Sequence, residues 1–178
     1  KNIIITSDSH SSGTSRVAEA SKDVDCTHAL ILQADEPLVI PEVISSLRKF
    51  VYSNPDIKFV NVVTHLSSDS QLTNPSYVKC AVEGGKIIFC FRQSPFISST
   101  SEVNKFTRIL KGIYVYKKDV LISLAKSRQS LIESCESIEQ LRLLTSNVAI
   151  NYLEVEYAYP EVNTHEDLEK VQSIIRSD

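Results

Sequence analysis

The most constraining stretch of this chain is five residues long. His28-Ala29-Leu30-Ile31-Leu32 is apolar without interruption after its first residue, and Gln33-Ala34-Asp35-Glu36-Pro37 follows at once. A short run lacking polar alternation reads as a strand covered on both faces by helices. The neighbouring sequence supplies a candidate cover. Pro41 to Val51 carries Val43, Ile44, Leu47, Phe50 and Val51 at helical spacing, with Pro41 placed in the first turn.

Other elements alternate in the same way. Ile3-Ile4-Ile5, within Lys1 to Thr6, reads as a buried strand. Ser12-Gly13-Thr14 reads as a turn, with Thr14 capping a helix from Arg16 to Lys22. Ile57 to Val63 is a strand. Val78 to Val82 and Lys86 to Phe91 are two strands joined through Gly84-Gly85, the clearest hairpin signal in the chain. Gln93 to Asn104 is polar, Ser-rich and contains Pro95, which predicts a mobile loop. A strand at Gly112 to Tyr116 and a helix at Asp119 to Ser127 follow. Next come a helix opened by Ser137 with Ile138, Leu141 and Leu144 on one side, a strand at Val148 to Tyr157, and a helix at Thr164 to Arg176. Thr164 and Asp167 have capping-box spacing. The pattern predicts a three-layer α/β fold with a mainly parallel sheet and an inserted antiparallel hairpin, one domain over residues 1–178.

Bulk properties exclude several classes. A length of 178 residues with 42% hydrophobic and 23% charged residues suits one ordinary globular core. A net charge of −3 gives no electrostatic footprint for nucleic acid, and no apolar run approaches a membrane span. Cys26, Cys80, Cys90 and Cys135 form no CxxC pair and lie in or beside apolar runs, which predicts reduced, mostly buried thiols in a cytoplasmic protein. The chain contains no Met, residue 1 included; the expectation is a fragment, a processed chain or a trimmed chain.

Ligands of open α/β sheets sit beyond the carboxyl ends of the strands, and Asp35 lies there. Position alone leaves two readings: a carboxylate that holds a hard divalent cation against phosphate oxygens, or a cap for the following turn. His10 to Arg16 is likewise either an anion-receiving loop at a helix start or a plain cap.

Taken together, these segments resemble the CMP-3-deoxy-manno-octulosonate (CMP-Kdo) synthetases. His10-x-Ser12-Gly13-Thr14-x-Arg16 and Gln33-x-Asp35-Glu36-Pro37 are similar to that family's two most recognisable blocks. Asn74-Pro75 with Val78-Lys79, Phe89 to Arg92, Gly112 to Tyr116, Glu139 to Arg142, and Thr164-x-Glu166-Asp167-Leu168-Glu169 keep the family's order, from about Ile5 to Ile175. The resemblance implies a Rossmann-like nucleotidyltransferase sheet and cytidylyl transfer from CTP to an acidic sugar with release of pyrophosphate. It implies Mg²⁺ as cofactor, a homodimer to which Gly112 to Ser130 contributes, and a product for lipopolysaccharide or other surface polysaccharide synthesis. By the same resemblance Asp35 and Arg92 are catalytic, and Asp35 and Asn163 stand at the metal. Ser12, Gly13, Thr14, Arg16 and Gln33 lie along the nucleotide, while Arg92, Tyr114, Glu139 and Gln140 line the sugar pocket.

The chain departs from that pattern in identifiable places. The family's first strand and phosphate-binding loop have no counterpart here, which predicts that the N-terminal βαβ portion is absent from this chain. Asn163 stands where the family carries a second metal-binding Asp, and His165 replaces a Pro. Leu110 falls near a family His, Phe91 replaces a Ser and Ala34 a Gly. Two further readings therefore accompany an active enzyme: a catalytically weak or inactive paralogue binding nucleotide, sugar or a protein partner, and a related acylneuraminate-type or other nucleotidyltransferase.

Overall fold

The computed structural model describes residues 3–10, 12–93, 100–156 and 160–177. Helix α1 (Gly13–Ala20) begins at Ser12, whose hydroxyl accepts from the Ser15 N–H at 3.2 Å. The expected cap, Thr14, lies inside the first turn instead and donates its hydroxyl to Glu139. Ile3 to Ile5 form no strand; Ile3 and Ile5 are 88% and 92% exposed, because nothing among the described residues pairs with them. Strand β1 (His28–Leu32) and helix α2 (Pro41–Ser53) arise where the sequence places them, with Pro41 at the helix start. β2 (Phe59–Thr64) is buried throughout.

Helix α3 (Asp69–Thr73) precedes the hairpin of β3 (Lys79–Glu83) and β4 (Lys86–Phe91). Gly84 and Gly85 turn it at φ of 55° and 76°, a left-handed pair that side-chain-bearing residues rarely adopt. Part of the expected loop, residues 94–99, lies outside the described residues; the rest is helix α4 (Thr100–Phe106). β5 (Thr107–Lys117) is far longer than the expected Gly112 to Tyr116, and α5 (Lys118–Lys126) follows directly. Helix α6 (Leu131–Glu136) starts with a Ser130/Glu133 capping box and ends at Ser137 in the left-handed conformation, φ 55°. Ser137 thus closes one helix rather than opening the next, α7 (Gln140–Thr145). β6 (Ile150–Glu154) is shorter than expected, and Tyr157 lies outside the described residues. In α8 (His165–Ser177), Thr164 and Asp167 form the capping box: the Thr164 N–H reaches Asp167 at 2.9 Å, and the Asp167 N–H reaches the Thr164 hydroxyl at 3.2 Å.

The sheet order is β1-β5-β2-β6-β4-β3, with β5 also pairing with β3. It is mixed rather than mainly parallel. Among the described pairings only β2–β6 is parallel. β1 and β2 do run the same way, but β5 lies between them antiparallel to both.

Helices cover both faces, so the three-layer expectation holds. Strand alternation divides the core. Phe59, Val63, Tyr114 and Tyr116 pack towards α1, α5 and α7, whereas Val60, Val62, Ile113 and Val115 pack against Val43 and Leu47 of α2. Burial of a side chain such as Leu47 stabilises the fold by about 1.5–3 kcal/mol. Because α2 lays its stripe on β2 and β5, it leaves part of β1 open: Leu30 and Leu32 remain 39% and 44% exposed. The expectation of cover on both faces of β1 is corrected accordingly. Of the cysteines, Cys80 and Cys90 are buried opposite one another across the hairpin, Cys26 is partly buried and Cys135 is exposed.

Candidate active site

The site is built where β5 breaks register against β2. Asn61 pairs with Tyr114 and Val63 with Leu110, so Lys111, Gly112 and Ile113 stand opposite Val62 alone. Such a bulge re-aims side chains, and buried Asn61 holds it by donating to the Lys111 carbonyl at 2.9 Å. Gly112 is required by close approach. A Cβ there would meet Gln33 Oε1 at 2.8 Å, Gln33 Cβ at 3.0 Å and Glu36 Cγ at 3.2 Å. The segment after β1 is thereby pressed onto the bulge: the Gln33 N–H donates to the Gly112 carbonyl at 2.9 Å, and the Gly112 N–H donates to Glu36 Oε1 at 2.7 Å.

A cavity of about 570 Å³ opens beyond these strand ends. Ser12, Gly13 and Arg16 of the α1 loop line it, as do Gln33 and Asp35 after β1. Arg92, Tyr114, Glu139, Gln140 and Asn163 complete the set, so ten of the eleven expected site residues meet in one place. Thr14 stands just behind, bonded to Glu139. Gln33 Nε2 donates to the Tyr114 hydroxyl at 3.1 Å, and Gln140 Nε2 to Asn61 Oδ1 at 3.1 Å. Tyr114 is a core residue, 2% exposed, that also lines the cavity. Burial, then the Glu139 carboxylate, push its phenol up.

Two cationic residues are already engaged. Arg92 donates Nε to the Glu136 carbonyl at 2.9 Å, one terminal nitrogen to Pro75 O at 2.9 Å and the other to Ser137 O at 3.4 Å. A guanidinium carries five N–H donors, so about two stay available for a ligand. Arg16 donates to Thr6 Oγ1 at 2.6 Å and Ser7 O at 3.2 Å, holding the preceding chain. Arg142, in the same block as Glu139, serves the fold instead. It clasps Glu133, itself 1% exposed, through Nε at 2.7 Å and Nη2 at 2.5 Å.

The acidic side of the cavity centres on Asp35. Among the described residues its buried Oδ1 has no hydrogen-bond partner, and the same is true of Glu139 Oε1. Burial raises the Asp35 carboxyl above its ordinary value, with the Glu161 charge adding to the effect and Lys111 opposing it. An enclosed oxygen of this kind fits a hard cation. Among the described residues no three His, Cys, Asp or Glu side chains are grouped to hold a metal unaided.

Beside Asp35 lie three charged residues that sequence reasoning did not assign. Lys111, on the bulge, reaches Glu161 Oε1 at 2.5 Å and Glu36 Oε2 at 3.2 Å. All three are largely buried, and burial pushes the Glu36 carboxyl up to about 7 despite Lys111. The one available signal was Glu36 within the block shared with Asp35; Lys111 and Glu161 come together only through the fold.

Residues 1–150 match the family model described as cytidylyltransferase. The chain is 34% identical over 176 residues to the 3-deoxy-manno-octulosonate cytidylyltransferase of Fusobacterium nucleatum, an alignment covering 97% of this chain and 71% of the relative. The chain belongs to the 3-deoxy-manno-octulosonate cytidylyltransferase family. The Escherichia coli member is also 34% identical, with 97% and 70% covered. A solved CMP:2-keto-3-deoxy-manno-octonic acid synthetase complexed with CTP superimposes with a TM-score of 0.88 at 29% identity, covering 98% of this chain and 72% of that one. More distantly, the inositol-1-phosphate CTP transferase of T. maritima shares the fold, with a TM-score of 0.61 at 16% identity and coverage of 92% and 61%. As a family member, this chain spans about 70% of the length of these synthetase relatives. No helix among the described residues is long and apolar enough to cross a membrane.

Proposed function

We propose that this chain transfers a cytidylyl group from CTP to the anomeric hydroxyl of 3-deoxy-manno-octulosonate or a closely related acidic keto sugar. The sugar oxygen bonds to the α-phosphorus, the bond to pyrophosphate breaks, and the hydroxyl proton is lost to solvent or a nearby base. The observation that carries this reading is the partnerless, enclosed Asp35 oxygen at the strand ends of a cavity lined by the other family-block residues. A family relative solved with CTP, matched over 98% of this chain and 72% of its own, supports the nucleotide.

Little covalent work is asked of the protein in such chemistry; positioning and charge dominate. Asp35 would hold Mg²⁺, which offsets phosphate charge and acidifies the attacking hydroxyl. Gln33, the Ser12-Gly13-Thr14 turn and Arg16 align the nucleotide side. The eight-residue helix α1 presents its N-terminal amides there. Arg92 offers its remaining donors to the sugar carboxylate, with Tyr114, Glu139 and Gln140 receiving sugar hydroxyls. The Thr14–Glu139 and Gln140–Asn61 contacts fix the last two side chains before substrate arrives. A homodimer, a cytoplasmic location and a product used in lipopolysaccharide synthesis accompany this reading.

The test is pyrophosphate release with Mg²⁺, CTP and 3-deoxy-manno-octulosonate, run beside UTP, GTP and an acylneuraminate. Turnover confined to CTP and the octulosonate is the expected result. A protein that binds CTP but releases no pyrophosphate with any acidic sugar would establish the inactive paralogue instead.

A further inference from the structure

We infer that Glu161, rather than Asn163, supplies the second carboxylate for the divalent cation at Asp35. This rests on the proposed function, since it concerns the same cation. The backbone sets the geometry: the Val162 N–H donates to the Asp35 carbonyl at 2.9 Å, so the residues on either side of Val162 are fastened against Asp35. Both reach the cavity. Glu161 brings a carboxylate to this wall of the cavity, whereas Asn163 brings only a neutral amide. Glu161 is also the better enclosed, its side chain 13% exposed while Asn163 is exposed.

The remaining contacts fit a ligand held ready. Lys111 fixes Glu161 Oε1 at 2.5 Å, and Asn163 Nδ2 donates to Glu161 Oε2 at 3.2 Å. Asn163 occupies Oε2 while no ion is bound, and rotation of its exposed amide frees that oxygen for the cation. Lys111 in turn is braced by Glu36 at 3.2 Å, which keeps Oε1 occupied and leaves Oε2 as the ligating atom. Hard dications favour a charged oxygen over a neutral amide oxygen, so the carboxylate missing at position 163 is restored two residues earlier.

Mn²⁺ binding in the presence of CTP and without any acidic sugar, followed by the EPR signal of the free ion against a protein-free Mn²⁺–CTP control, tests this without turnover. The proteins are wild type, Asp35→Asn, Glu161→Gln and Asn163→Ala, each checked for an unchanged circular dichroism melt. Because Glu161→Gln also leaves the Lys111 charge less balanced, Lys111→Met and Lys111→Met/Glu161→Gln are compared as a second pair. The expected result is wild-type binding lost in Asp35→Asn, weakened about tenfold or more in Glu161→Gln, and changed by less than about threefold in Asn163→Ala. The double variant then binds about tenfold or more weakly than Lys111→Met. Equal affinity in both Glu161 comparisons overturns the inference while leaving Asp35 as a ligand. Wild type and Asp35→Asn binding alike overturns the metal reading itself, and the inference with it.

Discussion

Replacing Gly112 with Ala places one methyl group at the most crowded point of the site. The added carbon would lie 2.8 Å from Gln33 Oε1, 3.0 Å from Gln33 Cβ and 3.2 Å from Glu36 Cγ, against ordinary carbon contacts of about 3.5–4.0 Å. The Gln33 amide can swing away, but its Cβ cannot. The backbones of Gln33 and Gly112 are joined by a 2.9 Å hydrogen bond, so relief requires about 0.5 Å of movement in β1 or in the bulge. Overpacking of this kind costs about 1–3 kcal/mol. Removing a glycine from the unfolded chain returns about 0.4–1 kcal/mol, leaving a net loss of up to about 2.6 kcal/mol and about 1.3 kcal/mol at the midpoints. For a chain of this size the midpoint lowers Tm by about 3–5 °C. Displacing Gln33 also breaks its bond to Tyr114, so KM for CTP should rise along with the fall in Tm. Thermal melts and initial-rate kinetics on the same preparation read both. A variant that melts at or above wild type with unchanged KM would refute the close-approach argument, because only the unfolded-state term would then have been expressed.

Two further outcomes are expected away from the cavity. Arg142→Met strands the buried Glu133 carboxylate and should cost about 3–5 kcal/mol in urea unfolding, much of it recovered in Arg142→Met/Glu133→Leu; a loss under about 1 kcal/mol would show that the clasp is dispensable. Glu154 accepts from Arg108 at 2.7 Å and meets His65 at 2.5 Å; burial pushes its carboxyl up, but these partners hold it below its ordinary 4.5 on balance. Its contribution is therefore complete above pH 4.5 and lost as pH falls through the depressed value. In a His65→Asn background, which removes the neighbouring imidazole's own charge change, the stability gap opened by Glu154→Gln should be constant from pH 6 to 8 and close below about pH 4.5, and a gap that widens on acidification would reverse the sign of the argument.

The sequence was most informative where structure is local. β1, α2 and the Gly84-Gly85 hairpin are legible because periodicity, a first-turn proline and left-handed glycines each act within a few residues. Helix α6 was legible in principle, since Ser130 and Glu133 have capping-box spacing, but it lies in a polar stretch where no apolar stripe draws attention. Strand direction was not legible. Nothing in the composition of Thr107 to Lys117 says that it will enter between β1 and β2 antiparallel to both, because direction is set by where the chain returns. The site divides the same way. Asp35, Gln33 and the Ser12 loop sit in short blocks that carry their own signal. Lys111 and Glu161 are 50 residues apart, and each alone looks like a surface charge; only the bulge at Gly112 and the Val162–Asp35 bond bring them under cover. Arg142 shows the opposite error, a block residue near the pocket whose partner makes it structural.

The central claim, that this cavity performs cytidylyl transfer through Asp35, is tested most directly by pyrophosphate release from CTP and 3-deoxy-manno-octulosonate in wild type and Asp35→Asn side by side. The account predicts Mg²⁺-dependent release in wild type and a fall of about 10²-fold or more in Asp35→Asn, with the melting temperature kept or raised because an enclosed charge has been removed. Full activity in Asp35→Asn would contradict it.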